Sequence, residues 1–264
     1  MDQQQKLDYL IRELCSEMKQ YGDPADETAN KKRLFRSLMN VRMPGAVSED
    51  FLRIQDEYLK KEAEQKGMIA AEKLPSVKEE FGSKIRHGDR ICLWKGDITR
   101  LSADAIVNAA NSRMLGCFVP CHGCIDNAIH SAAGIMLREE CFRIMKEQGH
   151  EEPVGQAKIT PGFNLPCRFV LHTVGPIVRG ILTAEDCHGL ESCYLSCLEL
   201  AKEKELDSIV FCCISTGEYH FPNRRAAEIA LHTVLSYLDK ENGIKRVVFN
   251  VFKKTDWEIY RKLF

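Results

Sequence analysis

Cys117, Cys121, His122 and Cys124 stand close together in the stretch MLGCFVPCHGCIDNAIHSAAG, Met114 to Gly134. Thiolate sulfur and imidazole nitrogen are donors that zinc takes readily. Four such ligands close a tetrahedral site, whereas three leave a position for water or substrate, as at catalytic zinc. Ligand count therefore separates a scaffold from an active centre. Structural sites usually draw paired ligands from two knuckles, and no second Cys-x-x-Cys is present to supply the other half. That argues against a zinc finger, and leaves buried cysteines without metal as the plain alternative. Asp126 follows at the start of the periodic apolar stretch Ile129, Ala132, Ala133, Met136, which predicts a helix. A carboxylate there either caps the helix or orients and deprotonates a water. The backbone amides of Ile125 and Asn127 at the same helix start offer a cradle for an anion.

Three further loops carry candidate groups. In KGDIT, Lys95 to Thr99, Asp97 can cap local backbone or accept from an exocyclic amine, with Ile98 beside it. In NAANSRMLGC, Asn108 and Asn111 bracket two alanines small enough for close backbone approach, and their carboxamides can bind hydroxyls. In ISTGEYHFPN, Ser215, Thr216 and Gly217 make a small-residue turn whose amides can face an anion, ahead of a helix that Pro222 can open. Glu218 is a second, weaker carboxylate candidate, and Tyr219 is either a surface aromatic or a stacking partner for a sugar. His172 and His130 fall inside expected elements and read as core or supporting residues; His220 reads as exposed.

The elements that must position these loops follow from periodicity. Leu7, Leu10, Ile11, Leu14 and Met18 recur at helical spacing, ending near Gly22. Pro24 opens a second expected helix through Leu34, Phe35, Leu38 and Met39, which stops before Pro44-Gly45. Ser48 caps a third, with Phe51, Leu52 and Leu59. Residues 1–80 thus read as a helical extension and 81–264 as a separate domain. In that domain the runs RICLWKGDIT, ADAIVNAAN, RFVLHTVGP, SIVFCCIS and KRVVFNVF read as strands. They alternate with helices over CHGLESCYLSCLELAKEKE, FPNRRAAEIALHTVLSYLDK and TDWEIYRKLF, the order of an α/β sheet with helices on both faces. In such sheets ligands bind outside the carboxyl ends of the strands, where the three loops fall.

Composition narrows the classes further. With 37 basic against 38 acidic residues, nothing draws the chain globally to nucleic acid or an anionic membrane. No stretch approaches the roughly 20 apolar residues of a membrane span, and MDQQQKLDYLIRELCSEM lacks the apolar core of a signal peptide. The expected location is the cytoplasm, with the 12 cysteines mostly reduced, buried or metal-bound.

Taken in order and spacing, GDITRLSADAIVNAANS, CIDNAIHSAAG, RFVLHTVGP and STGEYHFP resemble the motifs of macrodomains over about Ile91 to Phe264. The resemblance implies a three-layer α/β/α fold with a mixed central sheet that binds ADP-ribose. Most macrodomains follow the asparagines with a run of glycines, whereas this chain has GCFVPCHGC. That loop, with the long helical extension, looks like the zinc-dependent macrodomains of microbes, often encoded beside a sirtuin-like ADP-ribosyltransferase. The resemblance implies one zinc on Cys117, His122 and Cys124, with Cys121 outside the set and an open fourth position. It implies Asp126 and Asn111 as catalytic residues at the distal ribose. The ligand-binding set it implies is Asp97, Ile98, Asn111, Cys124, Ile125, Asp126, Asn127, Ser215, Thr216, Gly217, Glu218 and Tyr219. The activity implied is hydrolysis of mono-ADP-ribose from Asp or Glu side chains of a target, in this context a lipoyl-carrier protein, by a monomer. The alternatives are a non-catalytic ADP-ribose reader with structural zinc, or a hydrolase of O-acetyl-ADP-ribose or ADP-ribose phosphate.

Overall fold

A computed structural model describes residues 1–18, 30–240 and 243–264. Helix α1 spans Gln3–Met18 and buries Leu7, Leu10, Ile11 and Leu14, the periodic apolar face read from the sequence. Helix α2, Lys31–Val41, begins at Asn30, whose side chain accepts from the Arg33 amide at 3.0 Å. Gly22 and Pro24, expected to end the first helix and open the second, lie outside the described residues. Helix α3, Glu49–Lys66, starts as expected at Ser48, whose hydroxyl accepts from the Phe51 amide at 3.2 Å. Its first turn carries Glu49 and Asp50 and its last Lys66, each matching the helix dipole. The three helices close a small core around Leu10, Leu14, Phe35, Leu38 and Phe51, to which Ile135 is added from far along the chain.

A larger core begins at Ala71 and Val77. Strand β1, Ile69–Ala70, pairs in parallel with β3, Leu101–Ser102, and the short helix α4, Val77–Phe81, is fixed by a capping box of Ser76 and Glu79. The central sheet comprises β2 (Ile91–Lys95), β4 (Ala105–Ala110), β5 (Ala157–Pro161), β6 (Phe169–Val174), β7 (Ser208–Phe211) and β8 (Arg246–Val251). Its order is β2-β8-β7-β4-β6-β5, parallel throughout except for the antiparallel pair β5/β6. The parallel strands are continuous apolar runs such as Ile106-Val107 and Val247-Val248, as burial on both faces requires. Strand β5 was absent from the sequence expectation. It lies at the sheet edge, where Lys158 and Pro161 interrupt the apolar pattern that marks the inner strands.

Helices α5 (Ile125–Ala133), α6 (Ile135–Gln148), α7 (Ala184–Glu203), α8 (Asn223–Leu238) and α9 (Lys254–Leu263) complete three α/β/α layers. Helices α7, α8 and α9 pack side by side, while α5 and α6 pack on each other across the sheet, as right-handed crossovers demand. The expected helix running from Asp126 through Met136 is broken at Gly134, where φ is 90°. A Cβ there would sit 2.7 Å from Gln55 Nε2, and the Ile135 amide donates to Gln55 Oε1 at 3.0 Å. Docking of α3 thus fixes the break. Pro222 serves as the flanking cap of α8 rather than its first residue. Among the described residues no helix is long and apolar enough to cross a membrane.

Candidate active site

The loops after β2, β4, β7 and β8 meet at the carboxyl ends of the parallel strands around a cavity of about 1230 Å³. This exceeds the roughly 300–1,000 Å³ of most small-ligand pockets. At one end, Asp97 accepts through Oδ1 from the Thr99 amide (3.0 Å) and hydroxyl (2.7 Å), so it caps the short turn Ile98–Arg100 while lining the wall. On the β7 side, Ser215 is left-handed at φ 63°, and its buried Oγ has no partner among the described residues. Gly175 opposite leaves room for it, since a Cβ there would collide with that oxygen. Thr216 Oγ1 donates back to Cys213 O at 3.0 Å, closing a turn that presents Gly217, Glu218 and Tyr219 to the cavity.

Asp126 is buried at the cavity floor. Asn108 Nδ2 donates to its Oδ1 at 2.8 Å and faces His172 Nδ1 at 3.2 Å; His172 Nε2 lies 2.9 Å from Thr160 Oγ1. The two amide hydrogens of Asn108 serve both contacts if His172 accepts at Nδ1 and carries its proton on Nε2, and that tautomer satisfies these three contacts while Asn108 Oδ1 has no partner among the described residues. Burial pushes the His172 imidazole down to about 3, keeping it neutral. Asn111 Nδ2 donates to Gly116 O at 3.1 Å and approaches Asp126 Oδ2 at 3.3 Å. Burial pushes the Asp126 carboxyl up to about 6, against Asn108, Arg138 and Asn111, which favour the carboxylate. The capping role anticipated for Asp126 falls instead to Cys124, whose Sγ accepts from the Asn127 amide at 3.4 Å. Asn108, read as a group for hydroxyl binding, is turned wholly into the core.

Above this floor the side chains of Cys117, His122 and Cys124 bring their donor atoms within 4.8 Å of one another. Cys117 Sγ lies 3.6 Å from His122 Nδ1, and His122 Nε2 lies 3.7 Å from Glu218 Oε1 across the cavity. Cys121 belongs elsewhere. At φ 53° its amide donates to Asn40 Oδ1 (2.9 Å) and its thiol to Arg33 O (3.3 Å), both on α2. Two sulfurs and one imidazole therefore converge and can hold a metal ion. Burial pushes the Cys124 thiol up to about 12, a bias that a cation in ligating contact reverses. Buried His130, Cys141 and His172 lie equally close together, but Thr160 and Asn108 already engage the ring of His172.

The implied ligand-binding set and the three metal donors all line the cavity except Asn127, whereas Asn108 and Cys121 do not. Asn127 is fully buried behind the loop: its amide is spent on Cys124 and its side chain donates to Val119 O at 2.9 Å. The amides of Ile125 and Asp126 remain at the open end of α5, where the first turn has no intrahelical acceptors. Several lining residues escaped the sequence reading, Phe252 and Arg36 among them. Phe252, just past β8, is 78% exposed at the cavity, a cost in water that a stacked ring would offset. Its signal was an aromatic at a strand's carboxyl end. Arg36 reaches in from α2, and no local pattern connects it to a loop some ninety positions away.

Residues 107–230 match the family described as Macro domain. The chain is 52% identical to a Treponema medium protein named protein-ADP-ribose hydrolase, over 100% of this chain and 99% of that one. A Staphylococcus aureus (strain MRSA252) protein of the same name is 46% identical over 88% of this chain and 84% of its own. Among solved structures, a Trypanosoma brucei macrodomain in complex with ADP-ribose superposes with a TM-score of 0.66 at 31% identity, covering 86% of this chain and 94% of that one. The chain belongs to the macrodomain family, among its protein-ADP-ribose hydrolases.

Proposed function

We propose that the protein hydrolyses mono-ADP-ribose from Asp or Glu side chains of a modified target, with one zinc ion on Cys117, His122 and Cys124. The observation that carries this reading is the three-donor group facing the cavity above Asp126, with Cys121 bonded away from it. The donor set fits zinc in type and number for a site with one open position. Bound there, zinc supplies Lewis acidity toward a ribose, carbonyl or water oxygen.

This chain's own groups divide the rest of the work. The Asp97 carboxylate accepts from the adenine amino group, and the Ile98 backbone borders the base. Amides of Ile125, Ser215 and Gly217 hold the diphosphate without lysines, which suits a chain of net charge -1, while the Thr216 amide, bonded to Cys213 O at 3.4 Å, closes the turn between them. Tyr219 packs on the sugar, and Cys124 and Glu218 border the distal ribose. Asn111 bridges Asp126 and the ribose. Asp126, ionised at neutral pH yet more basic than an ordinary carboxylate, takes a proton from the attacking water. An ester leaving group needs little general-acid help, which accommodates a site with one well-buried carboxylate rather than a flanking pair.

The reaction opposes a sirtuin-like ADP-ribosyltransferase acting on a lipoyl-carrier protein, and the protein works as a cytoplasmic monomer with residues 81–264 as the catalytic domain. Replacing Cys117 with Ala and measuring both ADP-ribose affinity and turnover of an aspartyl-ADP-ribosylated protein tests the assignment. Turnover should collapse while affinity changes only a few-fold; a parent protein that binds and never turns over is a reader.

A further inference from the structure

The metal-bearing loop, residues 111–124, has no regular structure of its own, yet its three donors already converge. Non-glycine residues Met114 (φ 59°) and Cys121 (φ 53°) both sit in the left-handed region, a conformation that persists only where surroundings impose it. At Cys121 those surroundings come from α2. Arg36 donates through Nε (3.0 Å) and Nη2 (2.6 Å) to Asn127 Oδ1, and through Nη2 to His122 O (3.0 Å). Asn127 in turn holds Val119 O and the Cys124 sulfur. Asn40 accepts from the Cys121 amide and donates to Ser131 Oγ at 3.0 Å, so its carboxamide spans the loop and α5.

We infer that α2 clamps the loop in its ligating shape through Arg36 and Asn40, making the N-terminal helices a working part of the metal site. Arg36 is a positioning residue: it acts through Asn127 and the His122 carbonyl. The inference rests on the zinc reading for its consequence but not for the clamp itself. A loop ordered before the ion arrives gives up less chain entropy on binding, so the clamp raises affinity without adding a ligand. The planar guanidinium reaches both acceptors at once, which a lysine ammonium on a flexible stem does far less well.

Two measurements on the full chain test this. The first is hydrogen exchange of the Cys121 amide and the rest of the loop in metal-free Arg36→Gln, Arg36→Lys, Asn40→Ala and Asn40→Asp proteins. The second is their zinc Kd by chelator competition. Arg36→Gln and Asn40→Ala should speed loop exchange and raise the zinc Kd by about tenfold or more, the scale seen for outer partners of metal ligands. Asn40→Asp, which keeps the acceptor for the Cys121 amide but loses the donor to Ser131 Oγ, should fall between Asn40→Ala and the parent, and Arg36→Lys between Arg36→Gln and the parent. Exchange unchanged from the parent overturns the clamp. Faster exchange with an unchanged Kd overturns its service to the site. A parent that binds no zinc refutes the zinc reading, while exchange in metal-free protein still decides the clamp.

Discussion

Two groups of cysteine and histidine lie on either side of Asp126, and their chemistry differs although their composition hardly does. Cys117, His122 and Cys124 are half-buried and face the cavity; beyond one another, their donor atoms meet only the Asn127 amide, at the Cys124 sulfur, and Glu218, across from His122. His130, Cys141 and His172 are sealed in the core, where burial drives both imidazoles toward neutrality and the Cys141 thiol upward. In the second group His172 is tied to Asn108 and Thr160, so it orients Asp126 through Asn108 rather than waiting for a ligand. Proximity of soft donors is thus not enough for a metal site; the donors must also be accessible, and His130, whose ring nitrogens have no hydrogen-bond partner among the described residues, is sealed from the cavity. The inner group supports the carboxylate, and the outer group is the one proposed to receive the ion.

Substitutions between and within the two groups should separate these roles. Asp126→Ala, which removes the carboxylate both groups flank, should lower turnover by about 10²–10⁴-fold, the scale of a positioned acid-base group; a loss under tenfold in steady-state assays would remove Asp126 from the chemistry. His122→Ala should take zinc content from one per chain to near zero, whereas Cys141→Ala should leave it at one and instead cost roughly 1–3 kcal/mol of stability. Metal analysis beside denaturant titration distinguishes these, and equal zinc loss in both variants would erase the distinction drawn here.

His172→Gln probes the inner group through pH. An unfolded histidine takes its proton near pH 6.5, while native His172 resists until about 3. Between those values the unfolded state holds the extra proton, so this residue's contribution is present above pH 6.5 and is lost as pH falls. Glutamine cannot titrate, so the stability gap between parent and variant should shrink by roughly 2 kcal/mol from pH 7.5 to 5. A gap constant with pH would contradict a neutral, buried imidazole. The smallest effect belongs to Cys121→Ser, expected to leave zinc content and turnover within about twofold, since serine retains a donor for Arg33 O. Loss of metal in that variant would make Cys121 a fourth ligand.

Much of the fold was legible because its periodicities are local. The α1 stripe Leu7–Leu14, the Ser48 cap and the apolar runs of β4, β7 and β8 each announce themselves within a few residues. The loops at the strand ends were legible for the same reason, being short, small-residue turns between such runs. What escaped depends on distant partners. The break at Gly134 is set by Gln55, the fate of Asn127 by Arg36, and the turning away of Cys121 by Asn40 and Arg33. Asn108 gave no sign of facing inward because its partner His172 lies on the neighbouring strand, a pairing that only the sheet register provides.

The proposed chemistry requires an ion at an open three-ligand site beside Asp126. Its most direct test is turnover of a glutamyl- or aspartyl-ADP-ribosylated protein by metal-analysed enzyme, before and after chelation and after return of one equivalent of zinc. Zinc dependence requires that activity disappear with the metal and return with it. Full turnover by verified metal-free protein would contradict it.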